Sequence, residues 1–376
     1  MLVSPGHFHI AQDVLVEGLC FSYCARKHAG FDKPGPNGAG GASTNQEPLF
    51  VMVIASSILD RVLVLEMVRV TEAAAIAASH LVGRGDEKAA DAAAVEAMRA
   101  ALNELPMDGT VVIGEGERDE APMLYIGEKV GSAQDGGPRI DIALDPLEGT
   151  TITAKAGPNA LAVLAIAEQG GLLNAPDVYM DKIAVGPGYA EGVIDLARSA
   201  TENVKSLAAA KGVAPGEIMA CVLDRPRHAA IIAELRALGC GIMLIPDGDV
   251  AGVIATTNPD TGIDIYIGSG GAPEGVLAAA ALRCVGGQIQ GRLLFRNDDE
   301  RGRARRWGIE DLDRIYKLED MASGDCIFAA TGVTDGSLLG GVKRRRDGAV
   351  ETDSIVMRAS SGTVRRIKGE HRKGSH

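Results

Sequence analysis

A layered α/β protein is predicted by three observations. Short apolar runs, such as 110–113, 139–144 and 160–167, have the length of buried strands rather than helices. They alternate with longer segments whose apolar residues recur at helical spacing. Several of the strands end in loops that combine glycine with an acid or an arginine, and layered α/β proteins place their sites beyond strand ends. The composition agrees: 46% of the 376 residues are hydrophobic but only 3% are aromatic, so the core is expected to be packed from small aliphatic side chains.

Residues 1 to about 56 stand apart. The stretch from Gly30 to Pro48 is rich in Gly, Pro, Asn and Ser and reads as linker, so a variable, flexible extension is expected here. No basic segment followed by an apolar one marks a signal peptide. Regular patterning begins near Ser57. A helix is expected over Ile58–Val82, broken by Gly83-Arg84-Gly85. Asp86 then suits the N-cap of a second helix reaching about Leu105. Asp91 lies little more than a turn beyond that cap, on what could equally be a polar helix face. Thr110–Ile113 reads as a strand running into Gly114-Glu115-Gly116-Glu117. Arg139–Leu144 reads as a strand that Asp145 closes and Pro146 stops, because proline cannot donate to a ladder. Ala160–Ala167 is a further strand. Glu217–Leu223 is a strand ending in Asp224-Arg225-Pro226-Arg227-His228, with a helix following to about Leu238. Gly241–Ile245 ends in Pro246-Asp247-Gly248-Asp249. Ile263–Ile267 ends in a loop from Gly268 to Glu274. There Pro273 suits the first turn of an Ala-rich helix and Glu274 lies where its N-terminus favours negative charge.

Composition also excludes. A formal net charge of −12 argues against a nucleic-acid groove. The exception is the end of the chain, where Gly341–His376 holds ten Lys/Arg against four Asp/Glu; a solvated basic edge is the expectation. Cys20, Cys24, Cys221, Cys240, Cys284 and Cys326 show no zinc spacing. Three of them, Cys221, Cys240 and Cys284, sit in apolar runs, which suits a reducing, cytoplasmic setting. No apolar stretch is long enough for a membrane span. Neither a nucleotide P-loop nor a convincing Ser-His-Asp arrangement is present. His228, at a helix start, reads as structural.

The chemistry centres on Asp145-Pro146-Leu147-Glu148-Gly149-Thr150. Alone, such a run is as ordinary as any turn. With Asp91, Glu115 and Glu274 it makes five carboxylates and no accompanying His or Cys. Gathered without cations, five acids would repel by roughly 1–4 kcal/mol per close pair. Oxygen-only ligands suit Mg²⁺ or Mn²⁺, and paired metals suit phosphoryl transfer. A hydroxyl beside them, Thr150, could orient a water. Arg225 and Arg227 offer planar forks for phosphate, or ordinary surface ion pairs. Asp247 and Asp249 could accept from sugar hydroxyls or cap a turn. Tyr179 could bond a phosphate or pack in the core.

In order and at compatible spacing, Gly-Arg-Gly-Asp (83–86), Val-Ile-Gly-Glu-Gly-Glu (112–117), Ala-Pro-Met-Leu-Tyr-Ile-Gly-Glu (121–128), Asp-Pro-Leu-Glu-Gly-Thr (145–150), Asp-Arg-Pro-Arg-His (224–228), Pro-Asp-Gly-Asp-Val (246–250), Gly-Gly-Ala-Pro-Glu-Gly (270–275) and Ala-Thr-Gly-Val-Thr-Asp-Gly (330–336) resemble bacterial class II fructose-1,6-bisphosphatases. These lie within the lithium-sensitive, inositol-monophosphatase-like phosphatases. The resemblance spans about Ser57 to Arg372. It implies a layered αβαβα sandwich, with a metal-binding half at about 57–170 and a substrate-binding half at about 171–376. It implies Mn²⁺ or Mg²⁺ held by Asp91, Glu115, Asp145, Glu148 and Glu274. Catalysis would involve Thr150, Glu148 and Asp145. Substrate contacts would fall at Glu148, Gly149, Thr150, Tyr179, Arg225, Pro226, Arg227, Asp247, Gly248, Asp249 and Gly271.

The activity implied is removal of the 1-phosphate of fructose 1,6-bisphosphate in gluconeogenesis, by a cytoplasmic homo-oligomer (dimer or tetramer) without nucleic-acid or membrane partners. The alternatives are a broader phosphatase acting also on sedoheptulose 1,7-bisphosphate or inositol phosphates, and a non-catalytic phosphosugar sensor. Two departures stand out. Residues 1–56 have no counterpart, and Ser269 replaces the apolar residue usual before the Gly-Gly pair, which is expected to alter loop packing there.

Overall fold

The structure, a computed structural model, describes Leu59 and residues 61–116, 122–134 and 136–372. The N-terminal extension, with Cys20 and Cys24, and Glu117 of the second acidic motif lie outside the described residues.

The chain opens with two packed helices, α1 (Arg61–Ser79) and α2 (Glu87–Asn103). Asp86 caps α2 as its sequence position requires, accepting from Ala89 N at 3.0 Å. Then come β1 (Asp108–Ile113), β2 (Lys129–Val130), β3 (Arg139–Glu148), a short α3 (Thr150–Ala154) and β4 (Leu161–Glu168). Next in order are β5 (Tyr179–Val185), α4 (Ala200–Lys211), β6 (Met219–Leu223), α5 (Ala229–Ala237), β7 (Gly241–Ile245), α6 (Asp249–Ala255), β8 (Ile265–Gly271), α7 (Ala272–Val285) and β9 (Gln288–Leu294). The chain closes with α8 (Asp298–Arg306), β10 (Ile315–Lys317), α9 (Leu318–Met321), β11 (Cys326–Gly332), β12 (Lys343–Arg344), β13 (Val350–Arg358) and β14 (Thr363–His371).

Among the described residues the strands form two sheets. One runs β12-β13-β11-β4-β3-β1-β2, with β14 also paired to β13; the other runs β10-β9-β5-β8-β6-β7. The central strands of both sheets are buried on two faces. In β4, Leu161, Val163, Ala165 and Ala167 join one core, while Ala162, Leu164 and Ile166 join the core beneath α1 and α2. In the second sheet Ile183 and Ile267 face α4 and α5, while Met180, Ala184 and Tyr266 face inward. Helices α6 and α7 fill the space between, and the order is helix, sheet, helix, sheet, helix: the layered αβαβα sandwich expected. Helix α7 is buried almost all round, including the run Ala278–Ala281. Its small side chains let two sheets approach one helix.

Three sequence expectations need correction. First, β3 does not stop at Pro146 but runs on to Glu148. Its pairing with β4 breaks register between Asp145 and Glu148, and on its other edge β1 follows only as far as Ala143. A residue without an N–H is tolerated there. Second, Gly268–Gly271 is strand, not loop, paired residue for residue with Tyr179–Lys182. Third, Pro215–Glu217 is a turn of 3₁₀ helix, so β6 starts at Met219 rather than Glu217. The basic C-terminal edge is as expected. Lys343 pairs with Asp335, and Arg345 with Glu351 and Glu370, all at the surface.

Candidate active site

The predicted residues cluster where strand ends and helix starts meet. Helix α2 carries Asp91, and Glu115 follows the end of β1. The bulged end of β3 supplies Asp145, whose Oδ1 accepts from Leu147 N at 3.0 Å, and Glu148. Gly149 then takes a left-handed conformation, φ 93°, which favours glycine and turns the chain so that Thr150 opens α3. From the second sheet, β8 ends at Gly271, and Glu274 lies in the first turn of α7. Tyr179, at the start of β5, pairs with both Gly271 and Leu294. Arg225–Arg227 follow β6, and Asp247–Asp249 join β7 to α6.

The five carboxylates act on one another electrostatically. Burial raises all of them above the ordinary range, and repulsion from neighbouring carboxylates adds to it for all but Asp91. The Glu115 carboxyl is pushed up to about 8 by burial and by the nearby Asp91 and Asp177. Asp145 is raised well above normal by burial, then by Glu115, Glu274 and Asp91. Glu148 is likewise raised well above normal by burial, Asp249 and Asp145, and Glu274 to about 7 by burial and Asp249. Asp91 is raised by burial. Two buried oxygens, Glu148 Oε2 and Glu274 Oε2, have no hydrogen-bond partner among the described residues. Among those residues, no three His, Cys, Asp or Glu side chains already enclose one point as metal ligands would. The donor set is nevertheless all carboxylate, and its two orphaned oxygens are what a hard cation satisfies.

The candidate substrate contacts are held in different ways. Arg227 donates from Nε and Nη2 to Ser269 O at 3.2 and 2.6 Å and from Nε to Ser269 Oγ at 3.0 Å. Its guanidinium lies 4.9 Å from the centre of the Tyr179 ring. Arg225 is half-exposed and 3.7 Å from Asp247. Asp249 is buried as the first residue of α6, with Gly248 as the N-cap, so the capping role weighed for Asp249 falls to its neighbour. Ser269 is held by hydrogen bonds, its Oγ accepting from Arg227 Nε at 3.0 Å and lying 3.1 Å from His228 Nε2. His228, structural as expected, holds Leu223 O through Nδ1 at 2.7 Å and accepts from Ser269 N at Nε2, 2.8 Å. Its neutral form suits both bonds, and burial lowers its pKa.

Two charged residues escaped the sequence reading. Lys182, fully buried in β5, pairs with Asp249. Arg296, two residues past β9, has its guanidinium 5.3 Å from the Tyr179 ring centre and pairs with Glu300. A signal existed for Lys182: it occupies the inward register of β5, between Met180 and Ala184, where an apolar residue is expected.

Comparison with known proteins agrees with the motifs. The family described as bacterial fructose-1,6-bisphosphatase, glpX-encoded, matches residues 61–371. The chain is 49% identical over 325 residues to the fructose-1,6-bisphosphatase 1 class 2 of Escherichia coli (strain K12), covering 83% of this chain and 95% of that one. It shows the same identity and coverage to the fructose-1,6-bisphosphatase class 2 of Shigella flexneri. Among solved structures, an inositol monophosphatase from Anabaena (Nostoc) sp. PCC 7120 matches with a TM-score of 0.27 and 14% identity, over 51% of this chain and 71% of that one, too distant to carry an argument. The family match covers most of the chain and the identity holds across nearly the full length of its relatives: this protein belongs to the bacterial, glpX-encoded class II fructose-1,6-bisphosphatases.

Proposed function

We propose that this chain hydrolyses the 1-phosphate of fructose 1,6-bisphosphate to fructose 6-phosphate and phosphate, a step of gluconeogenesis, using Mn²⁺ or Mg²⁺ held by Asp91, Glu115, Asp145, Glu148 and Glu274. One observation carries the ligand assignment. Carboxylates from α2, from the ends of β1 and β3 and from the first turn of α7 repel their neighbours, and two of their buried oxygens lack any partner among the described residues. Burial of unpaired carboxylate is unfavourable by several kcal/mol unless a cation compensates. Bound there, the metal supplies charge neutralisation at the phosphoryl oxygens and the departing alkoxide.

The side chains divide the remaining work. Thr150, at the start of α3, orients the attacking water through its hydroxyl. Glu148 holds its place by accepting from Val250 N at 2.9 Å, so it binds while spanning both halves. Arg225 and Arg227, the latter lying over the Tyr179 ring, take the distal phosphate. Asp247 and Asp249 accept from sugar hydroxyls, and the main chain at Gly149, Pro226, Gly248 and Gly271 completes the wall. The reading further holds that the enzyme is a cytoplasmic homo-oligomer; no helix among the described residues is long and apolar enough to cross a membrane.

The test is phosphate release from fructose 1,6-bisphosphate, sedoheptulose 1,7-bisphosphate and inositol 1-phosphate, with chelator and then with Mg²⁺, Mn²⁺ or Zn²⁺. Turnover of the first substrate, abolished by chelator and restored by Mg²⁺ or Mn²⁺, is expected. Restoration by Zn²⁺ alone would refute the metal assignment, and absence of all turnover would leave the sensor reading.

A further inference from the structure

Strand β5 alternates between two cores. Ile183 and Val185 face α4 and α5, while Met180 and Ala184 face the middle layer. Lys182 takes the middle-layer register and is buried completely. Nothing in a strand pattern calls for an ammonium there, and burying one is unfavourable by several kcal/mol unless it is paired and hydrogen-bonded. Lys182 Nζ meets both conditions. It forms an ion pair with Asp249 Oδ2 and donates to Gly271 O at 2.8 Å. Tyr266, also fully buried, donates to the same Asp249 oxygen at 3.3 Å. The surroundings are cut to fit this side chain. A Cβ at Gly270 would lie 3.0 Å from Lys182 Nζ, and one at Gly275 would lie 3.3 Å from Lys182 Cδ.

The two partners belong to different helices of the middle layer. Asp249 is the first residue of α6, and Gly271 is the N-cap of α7, whose first turn carries Glu274. One ammonium therefore ties together the starting points of both helices. A buried ion pair kept only for stability could be exchanged for an apolar pair at little or no loss. This one stands between a residue assigned to the sugar and the turn leading to an assigned metal ligand.

We infer that Lys182 is a positioning residue: its ammonium fixes the Asp249 carboxylate and the Gly271 carbonyl relative to each other, and so sets the sugar-binding edge of the site. Lys182 does not touch substrate. Fully enclosed, it acts through Asp249 and Gly271, and the inference rests on the reading above in which those two residues contact the sugar phosphate.

The experiment is steady-state phosphate release from fructose 1,6-bisphosphate at saturating Mn²⁺, with melting temperatures, for wild type, Lys182→Met, Asp249→Asn and the double variant. Lys182→Met is expected to raise KM by about tenfold or more, with a smaller change in kcat, because aim is lost before chemistry. In the double variant, where neither charge is stranded, the melting temperature should recover toward wild type. Its KM should fall well short of the product of the two single effects, because the residues act as a unit. A purely structural lysine would lower the melting temperature and the active fraction, seen as kcat, and leave KM alone. Lys182→Met with KM within threefold of wild type, or a double variant whose KM effects multiply, overturns the inference. If Lys182→Met does not fold, Lys182→Gln carries the same threefold threshold. Wild-type protein that releases no phosphate from this substrate would instead overturn the functional reading itself.

Discussion

Glu148 Oε1 accepts a hydrogen bond from Val250 N at 2.9 Å, across 102 positions of chain. The end of β3 in the first sheet is thereby fastened to the first turn of α6, and one oxygen of the carboxylate is committed while Oε2 stays unpartnered among the described residues. One oxygen of Glu148 thus serves the architecture, and the other is left for the cation proposed above. Its immediate neighbour Gly149 turns the chain, so the residue after it, Thr150, starts a new helix at the same place.

That placement gives the first prediction. If the Thr150 hydroxyl orients water, Thr150→Ser keeps measurable turnover and Thr150→Ala loses about 10²- to 10⁴-fold in kcat, with KM changed less. Steady-state phosphate release across a metal titration checks it. Near-wild-type kcat for the alanine variant at saturating metal would reduce Thr150 to a turn residue.

The raised carboxylates make metal binding and stability depend on pH in a definite direction. Without metal, Glu115 and Glu274 hold protons up to about 8 and about 7, whereas in the unfolded chain they would lose them near the ordinary value of 4.5. These groups therefore favour the folded state at low pH, and that contribution is lost as pH rises through about 7 to 8. A divalent ion displaces the protons and cancels the repulsion. The rise in melting temperature on adding Mg²⁺ should accordingly be larger at about pH 8.5 than at about pH 6. Binding calorimetry at about pH 6 in two buffers should also show proton release. Equal stabilisation at both pH values would contradict the metal-ligand assignment.

Gly271→Ala is expected to fold and yet bind metal poorly. A Cβ there would lie 2.0 Å from Glu274 Oε2, and the Gly271 backbone is ordinarily extended, φ −68°. The flexible end of Glu274 can swing aside, so the fall in stability should stay near 1 kcal/mol while the metal concentration for half-maximal activity rises at least tenfold. An unchanged metal requirement would show that Glu274 is not a ligand.

Removal of residues 1–50 should leave melting temperature and kcat nearly unchanged. The segment has linker-like composition and no site motif, and the family match begins at residue 61. Thermal unfolding and kinetics of the truncated chain decide; a large fall in either would give the segment a role.

Helical spacing of apolar residues exposed α1, the capping Asp86 exposed α2, and strand-end loops exposed the candidates Glu115, Asp145 and Arg227. Two kinds of feature stayed hidden. Composition misled wherever a neighbour, rather than the residue itself, decided the structure. Gly268–Gly271 looks like loop, but β5 pairs along it, and the Asp249 and Glu274 carboxylates fill the space that side chains at Gly270 and Gly271 would need. Pro146 looks like a stop, but a bulge spares the hydrogen bond it cannot make. The other hidden feature was Lys182. A lysine reads as solvated, and only the pairing of β5 between β8 and β9 reveals that both of its sides are covered.

Helix α7 has one further consequence. The run Ala278–Ala281 lies between the sheets with no side chain larger than a methyl group. Along this run the separation of the sheets is therefore set by methyl groups, with Val276, Leu277 and Leu282 packing on either side of it along the helix. A methylene or two added in this run would act as a shim. The fold would bear it at about 1–3 kcal/mol, but every cross-sheet distance in the site would be reset at once, with no active-site residue changed. The alanines are thus part of the tolerance to which the proposed centre is machined.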